Sequence, residues 1–207
     1  MMRNSRSVFY LLVGLLVLSV IWGCAEREYL IVDYTIPTAT QQLRDQSVRL
    51  RVDDQRENRK IMSPSAAAHF AAFNNRYSLA WDTPNQGRIL AGEHDLAGLF
   101  KRAFQKRLAL MGAVTTDESQ MIDPELTIAL ESFAIDLQGQ KWVAQVAYTA
   151  TLTQEGHPVI KEQVHGDAER IRIIGRKGAD MIISAIFTDV VNRLDLETLF
   201  RKAELIP

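Results

Sequence analysis

ELTIALESFAIDLQGQKWVAQVAYTATLTQEGHPVIKE, residues 125–162, contains three runs in which apolar and polar side chains alternate. Alternation at period two is typical of strands with one buried face. The segments Gln138-Gly139-Gln140 and Glu155-Gly156-His157-Pro158 separate the runs and have the composition of hairpin turns. The stretch therefore predicts three consecutive antiparallel strands, a β-meander, and the third strand is expected to continue to about Arg172. The apolar side of the middle strand consists of Trp142, Ala144, Val146, Tyr148, Ala150 and Leu152.

The first of these strands changes phase near Glu131-Ser132. Before this point the apolar residues occupy one side, and after it they occupy the other. One extra residue in a strand reverses the side on which later residues lie, which is what a β-bulge does. We therefore predict a bulge here that joins two sets into one buried face: Leu126, Ile128 and Leu130, then Phe133, Ile135 and Leu137.

Two long helices are predicted on either side of the meander in sequence. Residues 95–111 place apolar side chains at helical spacing, with Asp95 suited to cap the start and Gly112 the end. The basic residues of this helix, including Arg107, are expected on its solvent side. A second helical pattern begins near Gly178, and the final LETLFRKAELIP keeps the same spacing.

An alternating segment at 48–52 predicts one further strand before the helices, which gives the order β-α-β-β-β-α. The expected fold class is α+β, an antiparallel β-meander sheet with two amphipathic helices on one face. Residues 57–87 are the least determined part. Ser63-Pro64 suggests a short helix there, and Pro84-Asn85-Gln86-Gly87 a loop.

The N-terminal 23 residues have the layout of a signal peptide. Arg3 and Arg6 precede an uncharged apolar run at 8–22, which is shorter than the roughly 20 residues of a spanning helix. Cys24, the only cysteine, follows Gly23 at once. We predict a signal peptide at 1–23, a lipidated tether at 24–46 and a single α+β domain at 47–207. Within the tether, the alternation at 29–36 suggests an added edge strand.

This N-terminus resembles a bacterial lipoprotein signal, with Ile21, Gly23 and Cys24 at the lipobox positions. The resemblance implies that Cys24 is acylated and that membrane lipid is the first partner of the chain. Ala25 stands where enteric lipoproteins retained in the inner membrane have Asp, which implies an outer-membrane location facing the periplasm. The alternative is an uncleaved membrane anchor with an incidental cysteine.

The charge balance argues against a nucleic-acid partner. The chain has 24 Lys and Arg against 25 Asp and Glu, for a net charge of -1, whereas nucleic-acid binders usually have a basic excess. The sequence Gly175-Arg176-Lys177-Gly178 resembles the GXXG loop of a KH domain, but that loop joins two helices. Here a predicted strand precedes it, which favours a strand-to-helix turn. These four residues remain a candidate anion or partner contact.

The chain shows no catalytic constellation. The four histidines have no metal-ligand spacing, no serine has a recognisable base partner, and we predict no cofactor, no metal and no enzymatic activity. Asp53, Asp54 and Arg56 form either an ion-paired turn or a charged site, and the turn is the commoner arrangement.

The second side of the middle strand has small or β-branched, uncharged side chains: Val143, Ala147, Thr149, Thr151 and Thr153. It is either the solvent side of a one-sided sheet or a docking face for an envelope partner.

With these motifs placed, the chain resembles the YajG family of bacterial outer-membrane lipoproteins. The resemblance is carried by Gly23-Cys24, VRLRVDDQR, GEHDLAGLFKRAFQKRLALMGA, the meander and ADMIISAIFTDVVNRL. It implies a non-enzymatic binding or scaffolding role at the envelope, with a protein partner there. The alternative it leaves open is an accessory lipoprotein of an envelope lipid or lipopolysaccharide transport system.

Overall fold

The computed structural model describes residues 29–70, 73–116, 123–171 and 177–207. In these parts the chain forms eight strands and four helices around one hydrophobic core. The strands are β1 (Tyr29–Asp33), β2 (Ser47–Asp54), β3 (Arg76–Thr83), β4 (Gly87–His94), β5 (Val114–Thr116), β6 (Glu125–Gln138), β7 (Lys141–Gln154) and β8 (His157–Ile171). The helices are α1 (Pro64–Ala67), α2 (Leu96–Leu110), α3 (Lys177–Arg193) and α4 (Leu196–Lys202).

The larger sheet has five strands in the order β5-β2-β6-β7-β8. Its β6-β7-β8 part is the predicted antiparallel meander, and the α+β fold class is confirmed. The first predicted strand, β2, pairs with β6 in parallel, with Leu50 opposite Leu126. The sheet is therefore not the purely antiparallel one that the sequence suggested. Between β2 and β6 the chain returns through α2 to the end of the sheet at which β2 began, so β6 runs in the same direction as β2.

The predicted bulge is present in β6. Leu130 pairs with Tyr148 and Ser132 pairs with Ala147, so Glu131 is the extra residue. Leu130 and Phe133, on either side of it, are both buried. The bulge therefore keeps one continuous apolar face along a strand of 14 residues.

The two long helices cover this apolar face as predicted. Phe100 of α2 makes edge-to-face contacts with Phe133, Tyr148 and Phe187, so one ring joins α2, the sheet and α3. The Asp95 carboxylate accepts a hydrogen bond from the Gly98 amide at 2.8 Å, which confirms the predicted cap. Gly112, with φ of +91°, ends the helix in a conformation that side chains rarely adopt.

Helix α3 packs directly on the backbone of β8 at Gly166. A Cβ atom at this position would overlap Cγ1 of Val190 and lie 3.5 Å from Cγ1 of Ile186. The Tyr148 hydroxyl also donates a 2.7 Å hydrogen bond to the backbone oxygen of Val190. The absence of a side chain at Gly166 thus sets how closely the helix approaches the sheet.

A second sheet, not expected from the sequence, has the order β1-β3-β4. β1 pairs in parallel with β3, Leu30 opposite Tyr77, and β3 and β4 form a hairpin across the loop predicted at 84–87. The undetermined region 57–87 therefore holds α1 and β3. Ser63 caps α1 by accepting a hydrogen bond from the Ala66 amide, as its Ser-Pro start suggests.

The described part of the chain begins at Tyr29, within the segment 24–46 predicted as the tether. The segment 29–46, assigned to the tether on its sequence, contains β1 as an edge strand and contributes four buried side chains to the core: Leu30, Val32, Tyr34 and Leu43. Residues 24–28 of the predicted tether lie outside the described residues. Among the residues that the structure describes, no helix is long and apolar enough to cross a bilayer.

Candidate functional site

The outer face of the meander, on the side away from the helices, is one candidate contact surface. The odd-numbered side chains of β7 lie on it and are partly exposed, apart from Thr149, which is only 5% exposed. This side of β7 faces away from the core, as expected for the solvent side of a sheet that buries only one face. The face is accessible along most of its length, so it is also open to a docking partner.

The bulge residue Glu131 brings a negative charge onto this face. Its carboxylate accepts one hydrogen bond from the Thr149 hydroxyl at 2.5 Å and another from the Gln163 side-chain amide at 3.1 Å. These two hydrogen bonds, that from Thr149 first, hold the pKa of Glu131 below its usual value. The sequence of β7 alone suggests an uncharged face, but a fixed carboxylate lies at its centre.

The turn after β2 is an ion-paired turn, the commoner of the two arrangements considered. Arg56 donates two hydrogen bonds of 2.8 Å to the two carboxylate oxygens of Asp54. The Arg56 side chain is 5% exposed and that of Asp54 18%. The hydrogen bond from Arg56 holds the pKa of Asp54 low. One guanidinium nitrogen of Arg56, Nη1, is buried without a hydrogen-bond partner among the described residues.

This turn and the bulge line the same cleft. The amide of Gln55 donates to the backbone oxygen of Leu130 at 3.0 Å, which fixes the turn against β6 just before Glu131. The cleft has a volume of about 420 Å³, and its charged lining residues have both signs. Two candidates that are far apart in the sequence are thus brought together. The lining comprises Gln55, Arg56, Glu57, Asn58, Lys60, Glu131, Ser132, Phe133 and Ala134.

The cleft has the character of a recognition surface. Carboxylate, guanidinium, ammonium and amide groups of its lining offer hydrogen bonds to a polar partner, and the Phe133–Ala134 segment offers apolar contact. Glu131 and Arg56 are both engaged by neighbouring side chains, which suits fixed contacts rather than proton transfer. Within the described residues, no group of three His, Cys, Asp or Glu side chains is placed to hold a metal ion.

The glycine-containing segment 175–178 is only partly within the described residues. Gly175 and Arg176 lie outside them, while Lys177 and Gly178 form the first turn of α3, where Gly178 is buried. β8 ends at Ile171, so a strand precedes the segment, as predicted, and not the helix of a KH domain. Its role as an anion or partner contact stays a prediction. Cys24 also lies outside the described residues.

Arg107 is a polar residue that sequence reasoning placed wrongly on the surface. It is 9% exposed, and its guanidinium donates a 2.6 Å hydrogen bond to the backbone oxygen of Val191 in α3. Burial lowers the pKa of Arg107. Arg107 lies four residues after Ala103 and three after Phe104, so the helical spacing itself places it beside the apolar stripe. A cavity of about 190 Å³ next to it is also lined by Thr40 and Asp195.

No family model matches the chain, and no curated protein matches it. Several solved structures are similar in fold. A Xanthomonas campestris protein of the family DUF330 has a TM-score of 0.55 at 12% identity, covering 84% of this chain and 96% of its own. At that identity the likeness concerns the fold alone.

Two further similar structures are lipoproteins by name. A minor lipoprotein from Acinetobacter baumannii has a TM-score of 0.40 at 6% identity, covering 83% of this chain and 97% of its own. A lipoprotein from Neisseria meningitidis has a TM-score of 0.34 at 11% identity, covering 71% and 99%. At these identities and TM-scores, neither likeness assigns a family or a role to this chain, and neither singles out the YajG family.

Proposed function

We propose that the protein is a non-enzymatic lipoprotein of the bacterial envelope. It is anchored through acylated Cys24 in the outer membrane and faces the periplasm, where it binds or scaffolds a protein partner. The observation that carries this proposal is the position of Cys24. The single cysteine of 207 residues directly follows an apolar run with a basic start, and a lipobox requires a cysteine at this point. The YajG family is the finer assignment within this proposal.

The folded part of the chain supports this role in two ways. Its first described strand begins at Tyr29, five positions after Cys24, so folded structure lies close to the anchor in the sequence. Its outer face and the Glu131 cleft are accessible and built from fixed polar groups, which fits recognition of a partner. Stable anchoring needs more than one acyl chain, and diacylglycerol with an acylated amino terminus meets this requirement.

Membrane fractionation tests the anchor. We expect wild-type protein in the outer-membrane fraction and the Cys24→Ala protein outside it, because the sulfur that carries the lipid is absent. An Ala25→Asp protein is the matched control. It keeps Cys24 and is expected to remain membrane-bound but to move to the inner membrane. A Cys24→Ala protein that stays as firmly membrane-bound as wild type would rule out the anchor.

Site-specific photo-crosslinking in cells tests the partner surface. A photoreactive residue at exposed Gln145, on the outer face, is expected to give a protein adduct of defined mass, which mass spectrometry can identify. The same residue at exposed Lys202 of α4 is the control and is expected to give none. A permease as the adduct would favour the accessory role in lipid or lipopolysaccharide transport. Adducts at Lys202 alone would show that the outer face is not the contact.

A further inference from the structure

The distance between the anchor and the fold is limited by the chain itself. Tyr29 lies five positions after Cys24, and each step extends the chain by at most about 3.5 Å, so the span is roughly 17 Å at most. This limit holds whatever conformation residues 24–28 adopt. The end of the molecule at which β1 begins must therefore stay close to the bilayer if Cys24 is acylated.

Strand pairing shows which other elements lie at this end. Tyr29 pairs with Arg76, which places the start of β3 there. β1 and α3 run in the same direction, because the amide of Asp33 donates to Ser184 and that of Thr35 donates to Thr188. The start of α3 therefore lies at the same end as the start of β1.

Contacts of α3 with β8 extend the same end to the meander. Arg193, the last residue of α3, donates to the backbone oxygen of His165, in the middle of β8. Near the start of α3, Met181 lines a cleft together with Arg170, so the start of α3 lies toward the end of β8 at Ile171. Ile171 in turn pairs with Lys141 at the start of β7. We call this end the anchor pole, defined by Tyr29, Arg76, the turn at 138–141, Ile171 and the first turn of α3.

The opposite end, the far pole, is distant from the anchor. It contains the turn at 155–156 between β7 and β8, and α4, which follows the end of α3. β7 has 14 residues, and strands rise about 3.3 Å per residue, so the two poles are about 45 Å apart. A tether of roughly 17 Å reaches the headgroups from the anchor pole while the far pole extends well beyond it.

The exposed side chains of the anchor pole suit a headgroup surface. Arg76 is exposed and uses one N–H on the backbone oxygen of Glu93 at 3.2 Å. The Lys141 side chain is 59% exposed and pairs with the equally exposed Glu169 at 3.1 Å, an ion pair that solvent screens strongly. Ile171, which pairs with Lys141 across β7 and β8, is 69% exposed, the highest value among the large apolar side chains in the described parts. Exposed cations at the same end as an exposed apolar residue complement anionic phospholipid.

We propose that the anchor pole rests on the anionic phospholipid headgroups of the membrane that holds Cys24, so that the meander strands stand away from the bilayer. This inference rests on the proposed lipid anchor. It places Thr149, and with it the Glu131 cleft, eight residues along β7 from Lys141, about 26 Å above the headgroups. The cleft is then held in the periplasm at a fixed height.

Fluorescence quenching by labelled lipid tests this orientation on the full-length, acylated protein. The probe membranes are vesicles of phosphatidylethanolamine and phosphatidylglycerol with a nitroxide on a fraction of the headgroups. A fluorophore is attached to a cysteine introduced by Gln140→Cys at the anchor pole or by His157→Cys at the far pole. Both positions are exposed: Gln140 lies in the turn before β7, and His157 follows the turn after β7. The acylated Cys24 has no free thiol that could react with the fluorophore.

We expect most of the fluorescence at position 140 to be quenched and none of it at position 157. Equal quenching at both positions, or stronger quenching at 157, would overturn the orientation while leaving the anchor intact. Protein that does not float with the vesicles at all would overturn the anchor, and the orientation with it. The two failures are therefore distinguishable in one experiment.

Charge reversal at the anchor pole tests the chemistry of the contact. The Arg76→Glu/Lys141→Glu protein is expected to lose at least half of the quenching at position 140 on anionic vesicles. The Lys202→Glu protein, altered at an exposed far-pole residue, is expected to keep all of it. Unchanged quenching in the double variant would show that the tether alone holds the pole near the membrane and would overturn the headgroup contact.

Discussion

The two sheets of this protein combine local hairpins and parallel pairs of distant strands in different proportions. In the larger sheet, β6, β7 and β8 follow one another through two-residue turns, and each hairpin pairs along nearly its full length. In the smaller sheet, β1 pairs in parallel with β3, and the paired residues Tyr29 and Arg76 are far apart in the sequence. Local pairing leaves a visible period in the sequence, whereas pairing between distant segments does not.

The two sheets also differ in how far they are buried. β7 is central, with the helices on one side, and all six even-numbered residues at 142–152 are buried. β4 forms an edge and has no buried residue along its eight positions. Because stability follows burial, we expect substitutions at buried positions of the larger sheet to have larger effects than substitutions at the exposed edge of the smaller sheet.

An ion pair in each sheet makes this difference measurable. In the larger sheet, Asp54→Ala leaves the buried Arg56 guanidinium without its bidentate partner, and we expect the free energy of unfolding to fall by about 3 kcal/mol. Chemical denaturation measures the change. The Asp54→Ala/Arg56→Met protein removes both charges and is expected to recover most of the loss. Equal loss in the single and double variants would show that the turn, and not the charge pairing, determines stability.

The approach of α3 to β8 gives the next largest effect. Gly166→Ala adds a methyl group against Val190, and we expect a loss of about 1–3 kcal/mol as the helix is pushed from the sheet. Thermal denaturation measures it. In the Gly166→Ala/Val190→Ala protein the overlap is removed. The loss of stability in this double variant is therefore expected to be smaller than the sum of the losses in the two single variants. Simple additivity would contradict the close packing at this point.

Acid should weaken the larger sheet through its hydrogen-bonded carboxylates. The pKa values of Asp54, Glu131 and Asp136 are lowered in the folded protein, mainly by hydrogen bonds from Arg56, Thr149 and Ser63. The unfolded chain therefore binds protons more readily. The stabilisation is complete above the ordinary carboxyl pKa of about 4 and is lost as the pH falls through the lower folded values.

Glu131→Gln tests this pH dependence at one carboxylate. Since Glu131 is exposed, we expect a loss of only a few tenths of a kcal/mol at neutral pH. The fall in stability between pH 5 and pH 2, roughly the range in which carboxylates titrate, should be shallower than in wild type. Glu93→Gln, at an exposed position of β4, is the control and should keep the wild-type slope. Identical slopes in all three proteins would show that Glu131 is not held as described.

The smallest effect is expected at the ion pair of the smaller sheet. Arg88 of β4 and Asp33 of β1 meet at 2.5 Å across β3, but their side chains are 52% and 60% exposed. Arg88→Ala should therefore cost less than about 1 kcal/mol, and added salt should reduce the difference further. A loss as large as that of Asp54→Ala would end the distinction between the two sheets.

The parts of the fold that the sequence predicted are those with local signals. The phase change at Glu131, the cap at Asp95 and the helical stripe of α3 each lie within a few neighbouring residues, and all three are present. β4 was not predicted, because an exposed strand has no apolar alternation. The parallel pairing of β2 with β6 depends on the path of the chain between them, which no local pattern records.

The candidate site shows the same limit. The Asp54–Arg56 turn and the meander face were each found from sequence, but the cleft between them depends on the Gln55 amide meeting Leu130. Arg107 was assigned to solvent because it is charged, whereas its position in the helix places it against Val191. A charged residue on an apolar stripe is therefore a signal of a buried polar contact, which residue type alone conceals.

The amino-terminal mass of the protein isolated from bacterial membranes tests the central claim most directly. Mass spectrometry of the first tryptic peptide is expected to show a chain that begins at Cys24 and carries diacylglycerol on its sulfur and a fatty acid on its amino group. A membrane protein that still begins at Met1, or that has an unmodified Cys24, would contradict the lipid anchor and the orientation inferred from it.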